Sequence, residues 1–116
     1  MKKSVEHYLK LGFDEKTAMY FAQGRKKITA VAAADNYKLI LDFDNGERRI
    51  LDMTPMMQPG TVFEKISDER IFSGVYLDDE HCVSWDIDPD IDSNAVWNNK
   101  IDLCPDTCYI DSTPVA

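Results

Sequence analysis

Alternating carboxylates are the most conspicuous chemistry in the chain: Asp86-Ile87-Asp88-Pro89-Asp90-Ile91-Asp92. Hard cations such as calcium are held by oxygen ligands at this kind of density. An EF-hand loop counted from Asp86 needs Gly in sixth place and Glu in twelfth, where the chain has Ile91 and Trp97, so that motif is excluded. The plain reading is a loop that Asp and Pro turn and that Ile87 and Ile91 pin to the core. His81, Cys82, Cys104 and Cys108 are zinc-ligand types. His81 and Cys82 are neighbours in an expected strand, so they point to opposite faces and the set breaks up. A cysteine nucleophile needs an activating partner. Neither His7 nor His81 stands beside a Cys with a glycine-rich turn, and Pro105-Asp106 reads as a tight turn. With no phosphate loop, dinucleotide fingerprint or nucleophile elbow, the chain is expected to be no enzyme, with no catalytic residue, no metal and no cofactor.

What remains is surface. The formal charge of −8 is unevenly divided: ten Lys/Arg oppose seven Asp/Glu from Met1 to Ile50, and three oppose fourteen from Leu51 to Ala116. The halves thus carry +3 and −11. Such a field repels phosphates and favours a cationic partner; direct nucleic-acid binding is not expected, although Arg25-Lys26-Lys27 follow two helices. The acidic half supplies Asp86, Asp88, Asp90 and Asp92 to steer a basic protein. Trp97 is read first as a core residue and second as an aromatic anchor. The alternative is a small-ligand or cation binder with a pocket between sheet and tail, lined by Trp85 and Tyr109.

These residues must be carried by one domain, since 116 residues at 44% hydrophobic and 29% charged suit a single core. Three cysteines, no apolar leader after Lys2 and Lys3 and no long apolar run predict a cytoplasmic protein with reduced thiols. Ser4 caps a first helix through Leu11, Gly12 breaks it, and Asp14 caps a second that ends at Gly24. Strands follow at Ile28 to Ala34 and Tyr37 to Phe43, the latter turning through Asn45-Gly46 into Glu47 to Met53. Thr54 to Gly60 is irregular. Val62, Phe63 and Ile66 are expected to be buried, Ile71 to Leu77 and His81 to Ile87 to pair as strands, and Asp88 onward to dock as irregular structure. The expected class is α+β: a short N-terminal helical pair packed on a small, mainly antiparallel sheet, with an irregular docked C-terminal segment. The division is a helical lead-in over 1–26, a sheet domain over 27–111 and a tail over 112–116. An exposed strand edge in so small a sheet also suggests a homodimer.

Tyr37 through Tyr109 resembles domain-of-unknown-function family 2442. The resemblance is carried by Leu39 to Asp52 with its Asn45-Gly46 turn, Pro55, and Gly60-Thr61-Val62-Phe63. Phe72, Val75 and Tyr76, Val83-Ser84-Trp85, and Ile101-Asp102-Leu103-Cys104-Pro105-Asp106 complete it. Tyr8 to Phe13 and Tyr20-Phe21-Ala22 look like a longer subgroup with a helical lead-in. Asp86 to Lys100 departs from the shorter relatives by inserting an acidic loop with a second Trp. The resemblance implies a small bacterial α+β domain with no assigned catalytic residues and with antitoxin-like members. By that likeness the protein is expected to be an acidic partner of a small basic, toxin-like protein.

Overall fold

The computed structural model describes residues 4–115. Two capped helices open the chain: α1 (Val5–Lys10) and α2 (Glu15–Gln23). The Ser4 hydroxyl accepts from His7 N–H at 3.3 Å and the Asp14 carboxylate from Thr17 N–H at 2.7 Å, satisfying donors each helix leaves unpaired. Gly12 and Gly24 adopt φ of 96° and 97°, which only glycine takes at little cost.

Strands β1 (Ile28–Ala34), β2 (Lys38–Phe43) and β3 (Arg48–Asp52) form an antiparallel meander, with β7 (Thr113–Pro114) added beside β3. Period-two patterning turns Leu39, Leu41, Phe43, Leu51 and Met53 inward. The β2–β3 connection is a type I turn closed by Gly46 in the left-handed region: Gly46 N–H reaches Phe43 O at 3.0 Å, and Phe43 N–H reaches Glu47 O at 2.9 Å. A second sheet has the order β4 (Tyr76–Leu77), β5 (Val83–Asp86), β6 (Lys100–Leu103), all antiparallel. Its inner residues Val83, Trp85, Ile101 and Leu103 join the inner row of the first sheet, with Ile66, Phe72 and Cys108, in one core. The class is α+β, as expected.

Several local expectations are corrected. Ile71 to Leu77 is not one strand. Asp68 caps α3 (Glu69–Phe72) by accepting from Arg70 N–H at 2.9 Å, and only Tyr76–Leu77 pair in a sheet. Val62 is exposed, because it opens a 3-10 segment, Val62–Ser67, whose buried residue is Ile66. Beyond Asp88 the chain is not merely irregular: β6, α4 (Pro105–Asp111) and β7 all lie there. Pro105 starts α4 at a position where its missing N–H costs nothing, so Pro105-Asp106 is a helix start and no tight turn. The tail is likewise part of the first sheet, since Arg49 faces Pro114 and Ile50 faces Thr113. β7 is a two-residue edge, and β1 carries the opposite edge, where Ile28 O meets the His81 ring at 3.1 Å.

The lead-in is joined to the rest through α4. Tyr20 O–H donates to Asp106 and accepts from Lys26 N–H, while Arg25 pairs with Asp106 at 2.6 Å. Lys26 Nζ lies between the Tyr20 and Tyr109 rings, 4.8 and 4.6 Å from their centroids. Two of the three clustered basic residues are therefore engaged within the fold. On the inner row of β3, Arg49 is only 7% exposed. It donates to the Ser112 hydroxyl and carbonyl, each at 2.7 Å, and to Glu47 at 2.8 Å, so the buried charge is paired.

Candidate functional site

The outer face of the β4–β5–β6 sheet collects polar groups because the inner face takes the apolar half of each strand. Ser84 and Asp86 on β5 stand opposite Asp102 and Lys100 on β6, and Tyr76 on β4 stands opposite Ser84. Asp78 organises this face. Its Oδ1 accepts from Glu80 N–H and Cys82 N–H at 2.9 and 3.0 Å, and its Oδ2 accepts from Lys100 Nζ at 2.9 Å. Burial pushes the Asp78 carboxyl up, but the Lys100 ammonium and the two N–H donors outweigh it and leave the group below its ordinary value. Tyr76 is pushed up to about 12 by burial and by its hydrogen bond to Asp86.

Asn99, buried at the far end of the acidic loop, holds that loop in shape. Its side-chain oxygen accepts from Asp88 N–H at 2.9 Å, and its amide group is shared by Asp88 O, Ile91 O and Ser93 Oγ at 3.0–3.2 Å. Asp86 accepts from Tyr76 O–H at 2.8 Å and Ser93 O–H at 2.6 Å. Asp88 and Asp92 accept from the N–H groups of Asp90 and Asn94. Three of the four predicted aspartates thus shape the loop, and the Asp90 side is exposed. Together with Tyr76, Asp78 and Asp79, Asp86, Asp90 and Asp92 line an open trough of about 640 Å³ that Lys100 also borders.

Beside it lies an apolar cleft of about 260 Å³, whose lining includes Val62, Lys65, Ile87, Trp97 and Lys100. Trp97 is 84% exposed and Val62 64%. The expectation that Trp97 belongs to the core is corrected: it starts a one-turn 3-10 segment after the loop, and Asn99 is the buried residue of that turn. Lys100 borders both hollows, so the acidic trough and the tryptophan adjoin.

Trp85 and Tyr109 do not share a pocket. Trp85 is 0% exposed; its indole N–H donates to Phe72 O at 3.1 Å, and its ring stacks on Phe72 at 6.1 Å. Such a residue carries core packing rather than recognition. Tyr109 sits with Tyr20, Phe43 and Arg49 and donates to Glu47 at 2.6 Å. Inward on β5 and on α4, the two rings belong to different regions of the fold.

The cysteine–histidine set is also dispersed. His81 is in no strand; it takes the left-handed position of the β4–β5 turn, φ 64°, and its Nδ1 meets Ile28 O. His7 packs edge-on against Tyr8. Cys108 is buried, which raises its thiol pKa strongly. One further cluster could hold a metal: Asp78, Cys82 and Asp102 have ligand atoms within 4.8 Å of one another. Lys100 Nζ lies 2.9 and 4.0 Å from the two carboxylates, so an internal ammonium already supplies the cation there.

The family profile described as "Protein of unknown function (DUF2442)" matches residues 28–109. The chain belongs to this family. No curated protein and no solved structure matches. The DUF2442 match begins at the first residue of β1 and ends inside α4, so it spans the meander, the second sheet and the acidic loop. The lead-in of α1 and α2 precedes it. The family's description names no reaction. Among the described residues, no helix is long and apolar enough to cross a membrane.

Sequence reasoning missed Asp78, Asn99 and Lys100. A lone Lys in a strongly acidic stretch was a usable signal for Lys100. Asn99 gave none, since its partners depend on how Asp86 and Lys100 pair across β5 and β6.

Proposed function

We propose that this DUF2442 domain is a non-enzymatic interaction module, an antitoxin-like acidic partner that receives a basic segment of a second protein. The segment lies along the trough of Asp78, Asp79, Asp86, Asp90 and Asp92 and places an apolar side chain against Trp97. The observation that carries this reading is the exposed tryptophan beside the trough. A large exposed aromatic costs solvation in the free protein and is the residue type most concentrated in binding hot spots. Carboxylates around it speed encounter with a cationic partner and weaken binding to acidic ones.

The test uses wild type and Trp97→Ala as parallel baits in the native host, at low and high salt, with mass spectrometry of retained proteins. A small basic protein held at low salt, released at high salt and lost with Trp97→Ala is the expected outcome. Equal retention by both baits, or no basic protein on either, overturns the proposal.

A further inference from the structure

The register of β5 and β6 assigns two of the three free cysteines to the same outer face. The β5–β6 ladder runs Asp86 opposite Lys100, Trp85 opposite Ile101, Ser84 opposite Asp102 and Val83 opposite Leu103. One further step along the same register brings Cys82 opposite Cys104. Cys104 is still extended, φ −71° and ψ 153°, so strand geometry continues through that step. Ile87 N–H donates to Asn99 O at 2.7 Å, making 87 and 99 a hydrogen-bonded pair. Counting back in twos, 85 with 101 and 83 with 103 share that type, and Cys82 with Cys104 falls on the alternate, non-hydrogen-bonded type. In that type the Cα atoms stand about 4.5 Å apart and the side chains approach most closely. A disulfide accepts Cα separations of about 4.4–6.8 Å. Cys82 is half-buried and Cys104 exposed, so a small reagent can reach the pair.

We propose that Cys82 and Cys104 are a reversible cross-strand disulfide site, closed by exchange with a small-molecule disulfide such as glutathione disulfide. Cys104, the exposed thiol, reacts first. Its thiolate attacks one sulfur of glutathione disulfide, and one glutathione thiolate leaves. With its thiol free, Cys104 Sγ lies 3.3 Å from Thr107 Oγ1; rotation about its χ1 turns the mixed disulfide toward Cys82. Cys82 gives its proton to solvent, attacks Cys104 Sγ and expels the second glutathione. The protein loses two hydrogens as one disulfide becomes two thiols, so electrons and atoms balance. Burial, and then the carboxylates Asp78, Asp102 and Glu80, push the Cys82 thiol up to about 11, which keeps it protonated and leaves the first attack to Cys104; its own attack relies on being intramolecular. Cys108 lies on the buried side of α4 and takes no part. The bridge ties the β4–β5 turn, with Asp78, to the residue just before α4.

The full-length protein is treated with excess glutathione disulfide, then analysed by intact mass and by peptide mapping without reduction. Expected are a mass lower by two hydrogens, a cross-linked peptide joining Cys82 to Cys104, and reversal by dithiothreitol. Cys108→Ala should close in the same way, while Cys104→Ser should lose the bridge yet keep its far-UV circular dichroism. A bridge that includes Cys108, a bridge between two chains, or glutathione retained on Cys104 with no closure would each overturn the proposal.

Discussion

Trp85 and Trp97 show how little a residue's type says without its surroundings. Trp85 lies on the inner row of β5 with its N–H on Phe72 O, so Trp85→Ala should cost about 3–5 kcal/mol of stability, read as a fall in the urea midpoint. Trp97 is mostly in solvent. Trp97→Ala should stay within about 0.5 kcal/mol of wild type while losing partner retention; a large stability loss would return it to the core. Asn99 acts at the same scale. Because its carboxamide serves Asp88, Ile91 and Ser93, Asn99→Ala should loosen the 87–98 loop, with faster amide exchange there and a loss of about 1–3 kcal/mol.

At the scale of elements, the two hairpins use one turn with different residues. Asp78 N–H reaches Cys82 O and His81 N–H reaches Asp78 O, repeating the pattern at Phe43, Gly46 and Glu47. Gly46 (φ 87°) and His81 (φ 64°) fill the same left-handed position. A side chain there costs roughly 1–2 kcal/mol, so Gly46→Ala should destabilise by that amount in chemical denaturation. At His81 the ring's contact with Ile28 O offsets part of the cost. The lead-in is a second element-scale case. α1 buries no residue, and α2 is tied to α4 through Tyr20, Asp106 and Lys26. Tyr20→Phe removes both hydrogen bonds, and amide exchange in Val5–Gln23 should accelerate while that of β2 and β3 stays unchanged.

Across the whole molecule, acid should be the weak side. Asp42, Asp52 and Asp68 lie below their ordinary value through Arg48, Thr54 and Arg70, and Glu47 through the Tyr109 hydroxyl and then Arg49. Asp78 lies low through Lys100 against the opposing effect of burial. Each depressed carboxyl stabilises the fold fully above its unfolded value of about 3.9–4.3 and loses that contribution as pH falls through the lower folded value. The urea midpoint should therefore be flat toward these groups above about pH 5 and fall below it. Lys100→Met lets the upward push of burial bring the folded value of Asp78 toward its unfolded one, so the midpoint near neutral pH should fall while the loss below about pH 5 becomes shallower. An unchanged profile would mean that the Lys100–Asp78 pair is not formed in solution.

The local elements are written in neighbouring residues. Ser4, Asp14 and Gly24 mark the helix ends because capping acts within one turn, and alternation from Leu39 to Phe43 and Arg49 to Met53 assigns the inner row because side chains in a strand repeat every two residues. The family resemblance, too, is carried by short runs that the profile match from Ile28 to Tyr109 contains. Contacts between distant segments were decided only in three dimensions. Ile71 and Phe72 are apolar enough for a strand, but the Asp68 cap and the lack of a strand partner before Tyr76 make them helical. The C-terminal residues become a strand, a helix and an edge through pairing with β5 and β3. Nothing next to Trp85 or Trp97 says which is buried: Trp85 faces Phe72 across the core, whereas Trp97 follows a loop folded outward around Asn99. The trough, the exposed tryptophan and the facing cysteines all arise from that long-range register, which local propensity does not encode.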